Sequence, residues 1–129
     1  DHGTPNGFGL IVFGKKHNQR WYIGGFTAGQ FSGLGILKWA DGTFFIGNFE
    51  AGQPHGAGVE TYANGTVYEG ELKKGRRDGV GCLFGRHIPE VYCGEWMNAS
   101  RHGRGFTGTF EHVKNEEDNR NAMEGWEMR

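Results

Sequence analysis

The stretch Tyr62-Ala63-Asn64-Gly65-Thr66-Val67-Tyr68-Glu69-Gly70-Glu71-Leu72 sets an Asn-Gly pair between residues that favour strands. Asn-Gly fits a two-residue hairpin turn, which requires φ > 0. Immediately beyond it comes an aromatic-x-Gly pattern, Tyr68-Glu69-Gly70, that also closes on an apolar residue, Leu72. A single hairpin would explain the turn but not the glycine that follows.

That glycine recurs. Stepping back 23 residues from Tyr68-Glu69-Gly70-Glu71-Leu72 gives Phe45-Ile46-Gly47-Asn48-Phe49, and another 23 gives Tyr22-Ile23-Gly24-Gly25-Phe26. Stepping forward 24 gives Tyr92-Cys93-Gly94-Glu95-Trp96. Each copy is followed by a glycine ladder: Gly29, Gly52 and Gly75, a row broken by Ala99; then Gly33, Gly56, Gly79 and Gly103; then Gly35, Gly58, Gly81 and Gly105. Asp41-Gly42 and Asn64-Gly65 close the first two copies. A fixed period of this length marks a repeat architecture in which each unit is buried by its neighbours. The expected unit is two short antiparallel strands. Glycines at the far end of the hairpin would supply positive φ, and glycines beneath the rings would allow close approach.

The opening Gly3-Thr4-Pro5-Asn6-Gly7-Phe8-Gly9 aligns with Gly52-Gln53-Pro54-His55-Gly56-Ala57-Gly58, so the chain opens in mid-copy, as a segment of a longer array would. The pattern resembles the MORN (membrane occupation and recognition nexus) repeat, Tyr-x-Gly-x-Trp-x-x-Gly-x-x-x-Gly-x-Gly followed by an aromatic and Asp-Gly or Asn-Gly. The resemblance runs from residue 1 to about 106. The third copy departs from it, ending Phe84-Gly85-Arg86-His87-Ile88-Pro89-Glu90 without Asn-Gly, and the fourth has no closing turn. The resemblance implies an all-β fold: an elongated single-layer antiparallel sheet of tandem β-hairpins with a short C-terminal cap or tail. The expected boundaries are an array over 1–110 (a partial copy 1–21, then 22–44, 45–67, 68–91 and 92–110) and a tail or cap over 111–129. In the tail Phe110, Val113, Met123 and Trp126 would anchor a short helix or an extended cap, or touch another chain.

Composition sets the function classes. With 25 Gly, 3 Pro and 14% aromatics in 129 residues, the chain is neither collagen-like nor disordered. Fourteen Lys+Arg against 15 Asp+Glu give a net charge of −1, which argues against nucleic-acid binding. No apolar run reaches membrane-spanning length. Cys82 and Cys93 are too few for a disulfide scaffold and are read as reduced thiols in a cytosolic setting. The sequons at Asn64 and Asn98 are read as chance matches.

No catalytic set emerges. His55 and His102 share one repeat slot, filled elsewhere by Asn6, Ser32 and Asp78. Four strands apart, or ~19 Å, they cannot share a metal. The repeat glycines lack the phosphate-loop pattern, the carboxylates form no acid–base pair, and no cofactor or metal is expected.

Binding is the remaining option. Tyr22, Phe26, Phe45, Phe49, Tyr68, Leu72, Tyr92 and Trp96 would line one face as the core, with the residue between aromatic and glycine on the other. In two consecutive copies that residue is Ile23 and Ile46. A two-residue turn at Asp41-Gly42 would set Leu37 opposite Ile46 and Trp39 opposite Phe44, on the same second face. A one-residue change of register would move Leu37 and Trp39 across. The first expectation is therefore an apolar site of Ile23, Leu37, Trp39, Phe44 and Ile46 docking a helix or strand of another protein. The alternatives are cover by the chain's own tail or upstream part, and contact of Lys73, Lys74, Arg76 and Arg77 with anionic lipid. The family resemblance adds scaffolding, homodimerisation and a place near membranes or the cytoskeleton in the cytoplasm. It also adds service as an accessory to a separate catalytic region such as a lysine methyltransferase or phosphoinositide kinase, neither of which occurs in this sequence.

Overall fold

A computed structural model describes residues 6–14, 19–85, 87–109 and 127–128. They form the strands β1 (Gly7–Phe13), β2 (Arg20–Thr27), β3 (Gln30–Lys38), β4 (Phe44–Glu50) and β5 (Gln53–Thr61). These continue as β6 (Val67–Lys73), β7 (Arg76–Phe84), β8 (Glu90–Met97), β9 (Ser100–Thr109) and the two-residue β10 (Glu127–Met128). Strands adjacent in sequence are adjacent in the sheet, and the pairs are antiparallel, so the chain is one open meander from β1 to β10. None of the described residues is helical. The all-β ribbon expected from the repeat is the fold observed.

A row of glycines fixes the register. Gly9, Gly24, Gly35, Gly47, Gly58, Gly70, Gly81, Gly94 and Gly105 lie side by side, one on each of β1 to β9. The row exists because rings lie flat across it. A Cβ on Gly35 would collide with the Tyr22 ring, one on Gly58 with Phe45, one on Gly81 with Tyr68 and one on Gly105 with Tyr92. The two strands of each copy also slip register just past this row, the second strand placing three residues opposite one. The ring hydroxyl seals the irregularity: Tyr22 donates to the Gly25 carbonyl at 2.8 Å, Tyr68 to Glu71 at 2.7 Å and Tyr92 to Glu95 at 3.0 Å.

The rings are the core. Tyr22, Phe26, Phe45, Phe49, Tyr68, Leu72, Tyr92 and Trp96 are all buried on one face, together with Leu37. Contacts cross from copy to copy: Phe49 meets Tyr22 edge-on at 5.0 Å, and Trp96 meets Tyr68 at 5.5 Å.

Two kinds of turn alternate along the ribbon, and here the expected geometry needs correction. Ala28-Gly29, Ala51-Gly52, Lys74-Gly75 and Asn98-Ala99 are the two-residue turns, with φ positive at both positions. The Asp-Gly and Asn-Gly pairs instead belong to three-residue loops. Trp39 N–H donates to the Thr43 carbonyl at 2.8 Å and Gly42 N–H to Trp39 at 3.1 Å; Tyr62, Thr66 and Gly65 repeat the pattern. Asp41 and Asn64 act through their side chains, each accepting the backbone N–H two residues on, from Thr43 and Thr66, at 2.9 Å. That bond holds the Asp41 carboxyl below its ordinary pKa.

The longer loop shifts the pairing by one residue. Leu37 is opposite Phe45, Ile36 opposite Ile46 and Lys38 opposite Phe44. Leu37 and Trp39 therefore lie on the ring face, Leu37 buried in the core and Trp39 packed against it. Only Ile23, Phe44 and Ile46 of the expected apolar set share the second face.

The slot shared by Asn6, His55 and Asp78 has a structural task. Each side chain accepts the N–H of the first residue of the next copy's two-residue turn: Asn6 from Ala28 at 2.9 Å, His55 from Lys74 at 3.4 Å and Asp78 from Asn98 at 3.4 Å. The second turn residue donates to the preceding copy's backbone, as Gly75 does to Pro54 at 2.8 Å. At the end of the ribbon, Glu127 and Met128 pair with Thr107 and Phe106 on β9. The tail residues Phe110, Val113, Met123 and Trp126 lie outside the described residues.

Candidate interaction site

On the second face, the position next to the glycine row forms a parallel row of its own. Leu10, Ile23, Ile36, Ile46 and Val59 stand side by side on β1 to β5. Glu69 ends the aliphatic run on β6; Cys82, Cys93 and Phe106 follow on β7 to β9. Ile23 is 45% exposed and Ile46 53% exposed, while Ile36 between them is half-buried. The next row toward the three-residue loops adds Val12, Trp21 and Phe44, with Trp21 and Phe44 in edge-on contact at 5.9 Å. A shallow depression of about 400 Å³, lined by Ala57, Gly58, Val59, Glu69 and Gly70, ends the strip where glycines leave the sheet bare. Sequence reasoning missed Leu10, Ile36 and Val59. The pairing register alone shows that they fall in line with Ile23 and Ile46.

The basic loop divides. Lys73, Lys74 and Arg76 are exposed around the Lys74-Gly75 turn. Arg77 is not among them. Because the turn uses only Lys74 and Gly75, Arg76 and Arg77 both belong to β7, and alternation sends Arg77 to the ring face opposite Leu72. Its guanidinium lies 5.4 Å from the centre of the Tyr62 ring, 5.6 Å from Tyr68 and 5.1 Å from Trp96. It also donates to the Tyr62 hydroxyl at 2.9 Å, which donates in turn to Glu60 at 2.6 Å. Glu60 is buried between Phe45 and Tyr68, so this chain satisfies a carboxylate inside the core. Burial, aided by the Glu60 bond and opposed by Arg77, pushes the Tyr62 hydroxyl up to about 12; burial does the same to Tyr68. Lys73, Lys74 and Arg76 are what remains for lipid, and Arg76 already donates to Asn98 at 2.6 Å.

Cys82 and Cys93 form a disulfide, which corrects the expectation of two thiols. They are directly opposed on β7 and β8, with Cα atoms 4.0 Å apart. Sequence placed them on neighbouring strands without fixing that alignment. Of the histidines, His55 pairs with Glu50 at 3.0 Å and His102 is exposed. Among the described residues, no cluster of three His, Cys, Asp or Glu side chains could hold a metal ion, and no helix is long and apolar enough to cross a membrane. Lys15, Lys16 and His17 lie outside the described residues.

No curated protein matches the chain. The family model of the MORN repeat matches residues 22–44, 45–67, 68–85 and 92–107, together more than half of it. Such repeats are in general non-catalytic modules of protein or membrane interaction. Each matched segment is one unit of the structural pattern above: ring, glycine beneath it, register slip and two-residue turn, with the ring hydroxyl sealing the slip in the copies that begin with Tyr22, Tyr68 and Tyr92. The chain belongs to the MORN repeat family.

Proposed function

We propose that this protein is a non-catalytic scaffold that docks an apolar helix of another protein on its second face, within a cytoskeletal or membrane-associated assembly. The observation that carries this reading is the in-register row Leu10, Ile23, Ile36, Ile46 and Val59. The row runs along the ribbon, one residue per ~4.8 Å strand spacing. A helix laid along it presents one apolar residue per 5.4 Å turn, so about four turns would match five strands. Side chains of this kind contribute about 1.5–3 kcal/mol each when fully buried, enough in sum for a specific complex after association costs. Leu37 and Trp39 drop out of the site because they belong to the core.

The test is a crosslinking map of the native assembly, repeated with Ile23→Glu combined with Ile46→Glu. The expected result is a crosslinked partner helix along β1–β5 that is lost in the double variant while circular dichroism is unchanged. An undiminished crosslink in a folded double variant would refute the reading. Anionic lipid at Lys73, Lys74 and Arg76 is the second reading, supported by three exposed cations around one turn. It requires sedimentation with anionic vesicles that weakens as salt rises.

A further inference from the structure

From β1 to β9, the second-face row beside the glycines holds one charged residue, Glu69. It is exposed, and it differs from the other strand carboxylates. Glu50 pairs with His55, and Glu60 accepts from the Tyr62 hydroxyl. Glu71 and Glu95 accept the backbone N–H groups of Val80 and Arg104. Among the described residues, the Glu69 carboxylate has no hydrogen bond or ion pair.

Beside Glu69 lies the depression of about 400 Å³ between β5 and β6. Ala57, Val59 and Glu69 wall it, and Gly58 and Gly70 contribute backbone alone. Glu69 is the only polar side chain around it. A helix that covers Val59 strips water from this carboxylate, which is costly unless a cation meets it. The matching side chain has an apolar stem and a cationic head, so that the stem covers Ala57 and Val59 while the head reaches Glu69. Arginine suits this better than lysine: its guanidinium is more weakly hydrated and can hold a carboxylate through two parallel hydrogen bonds.

We infer that the depression at Glu69 anchors an arginine of the docked helix, one turn beyond the last apolar residue of its stripe. This names the chemistry of the partner and rests on the helix-docking reading above. Spacing sets the arginine's place: β6 follows β5 by ~4.8 Å, and one helical turn rises ~5.4 Å.

The test uses the full chain and a designed helical peptide of about 20 residues. Leucines spaced three and four apart form its stripe, a single arginine follows one turn past the last leucine, and alanine and glutamine fill the rest. Fluorescein sits at the end away from the arginine. Anisotropy compares the chain with its Glu69→Gln variant, each against the arginine peptide and a citrulline counterpart that keeps the shape and lacks the charge. The expected result is saturable binding that is lost on combining Ile23→Glu with Ile46→Glu. Glu69→Gln or citrulline alone should weaken it at least about fivefold, with no further loss when the two are combined. Binding that depends on Ile23 and Ile46 but weakens less than this, or weakens additively, overturns the anchor and leaves helix docking standing. No saturable binding, or binding indifferent to the isoleucine substitutions, overturns both.

Discussion

Ala99 holds φ at 71°, a conformation in which L residues are strained and glycine is not. The same turn position in the other copies is Gly29, Gly52 and Gly75. Ala99→Gly should therefore stabilise the protein by about 1 kcal/mol, read as a higher urea midpoint with an unchanged slope. Phe45 poses the complementary case. It fills the ring position of Tyr22, Tyr68 and Tyr92 but has no hydroxyl to seal the bulge at Asn48. Phe45→Tyr should add about 0.5–1.5 kcal/mol in the same assay, and Tyr68→Phe should remove as much. Tyr62 and Tyr68 also make stability depend on alkaline pH. Their hydroxyls titrate near 10 when unfolded and at about 12 in the fold, so folding favours the protonated form. That contribution is fully present below pH ~10 and is lost as pH rises toward 12. The denaturation midpoint should fall over this interval, and Tyr62→Phe should make the fall shallower.

At the scale of the element, the hairpin was legible in the sequence and its register was not. Period, ring stripe and seat glycines follow from aromatic-x-Gly spacing, because both strands must leave room for the same ring. Asp41-Gly42 has the composition of a two-residue turn as well as of a three-residue loop, and the two differ by one residue of register. That single residue sends Leu37 and Trp39 to the core and brings Ile36 into line with Ile46. Arg77 departs from the expected loop for a related reason: four basic residues within five positions look like one loop, whereas a turn of two residues leaves Arg77 in a strand with its side chain on the rings. The β7–β8 hairpin lacks the Asn-Gly loop, and Cys82–Cys93 ties its strands instead. A cross-link closing a loop this short is worth up to ~3 kcal/mol. Cys82→Ser with Cys93→Ser should lower stability by up to that amount. Amide exchange should quicken first in β7 and β8, where the original cross-link supplied the closure.

Across the whole molecule, the contacts are nearest-neighbour. A ring rests on its own copy's glycine, the next copy's aromatic covers it, and the next copy's turn hangs from the slot residue and backbone before it. Stability should then behave as a sum of copies and interfaces, with no central core to hold distant parts together. Gly58→Val tests this. Its side chain would enter the Phe45 ring and, through that ring, unsettle the copy that joins β2–β3 to β6–β7. Overpacking of this kind costs about 3 kcal/mol. In a single cooperative core that cost would accelerate amide exchange evenly from β2 to β9. In a ribbon it should be greatest in β4 and β5, smaller in β3 and β6, and nearly absent in β8 and β9, where the β8 rings Tyr92 and Trp96 pack on each other and Trp96 alone reaches back to Tyr68. A uniform exchange response to Gly58→Val would contradict this one-dimensional coupling.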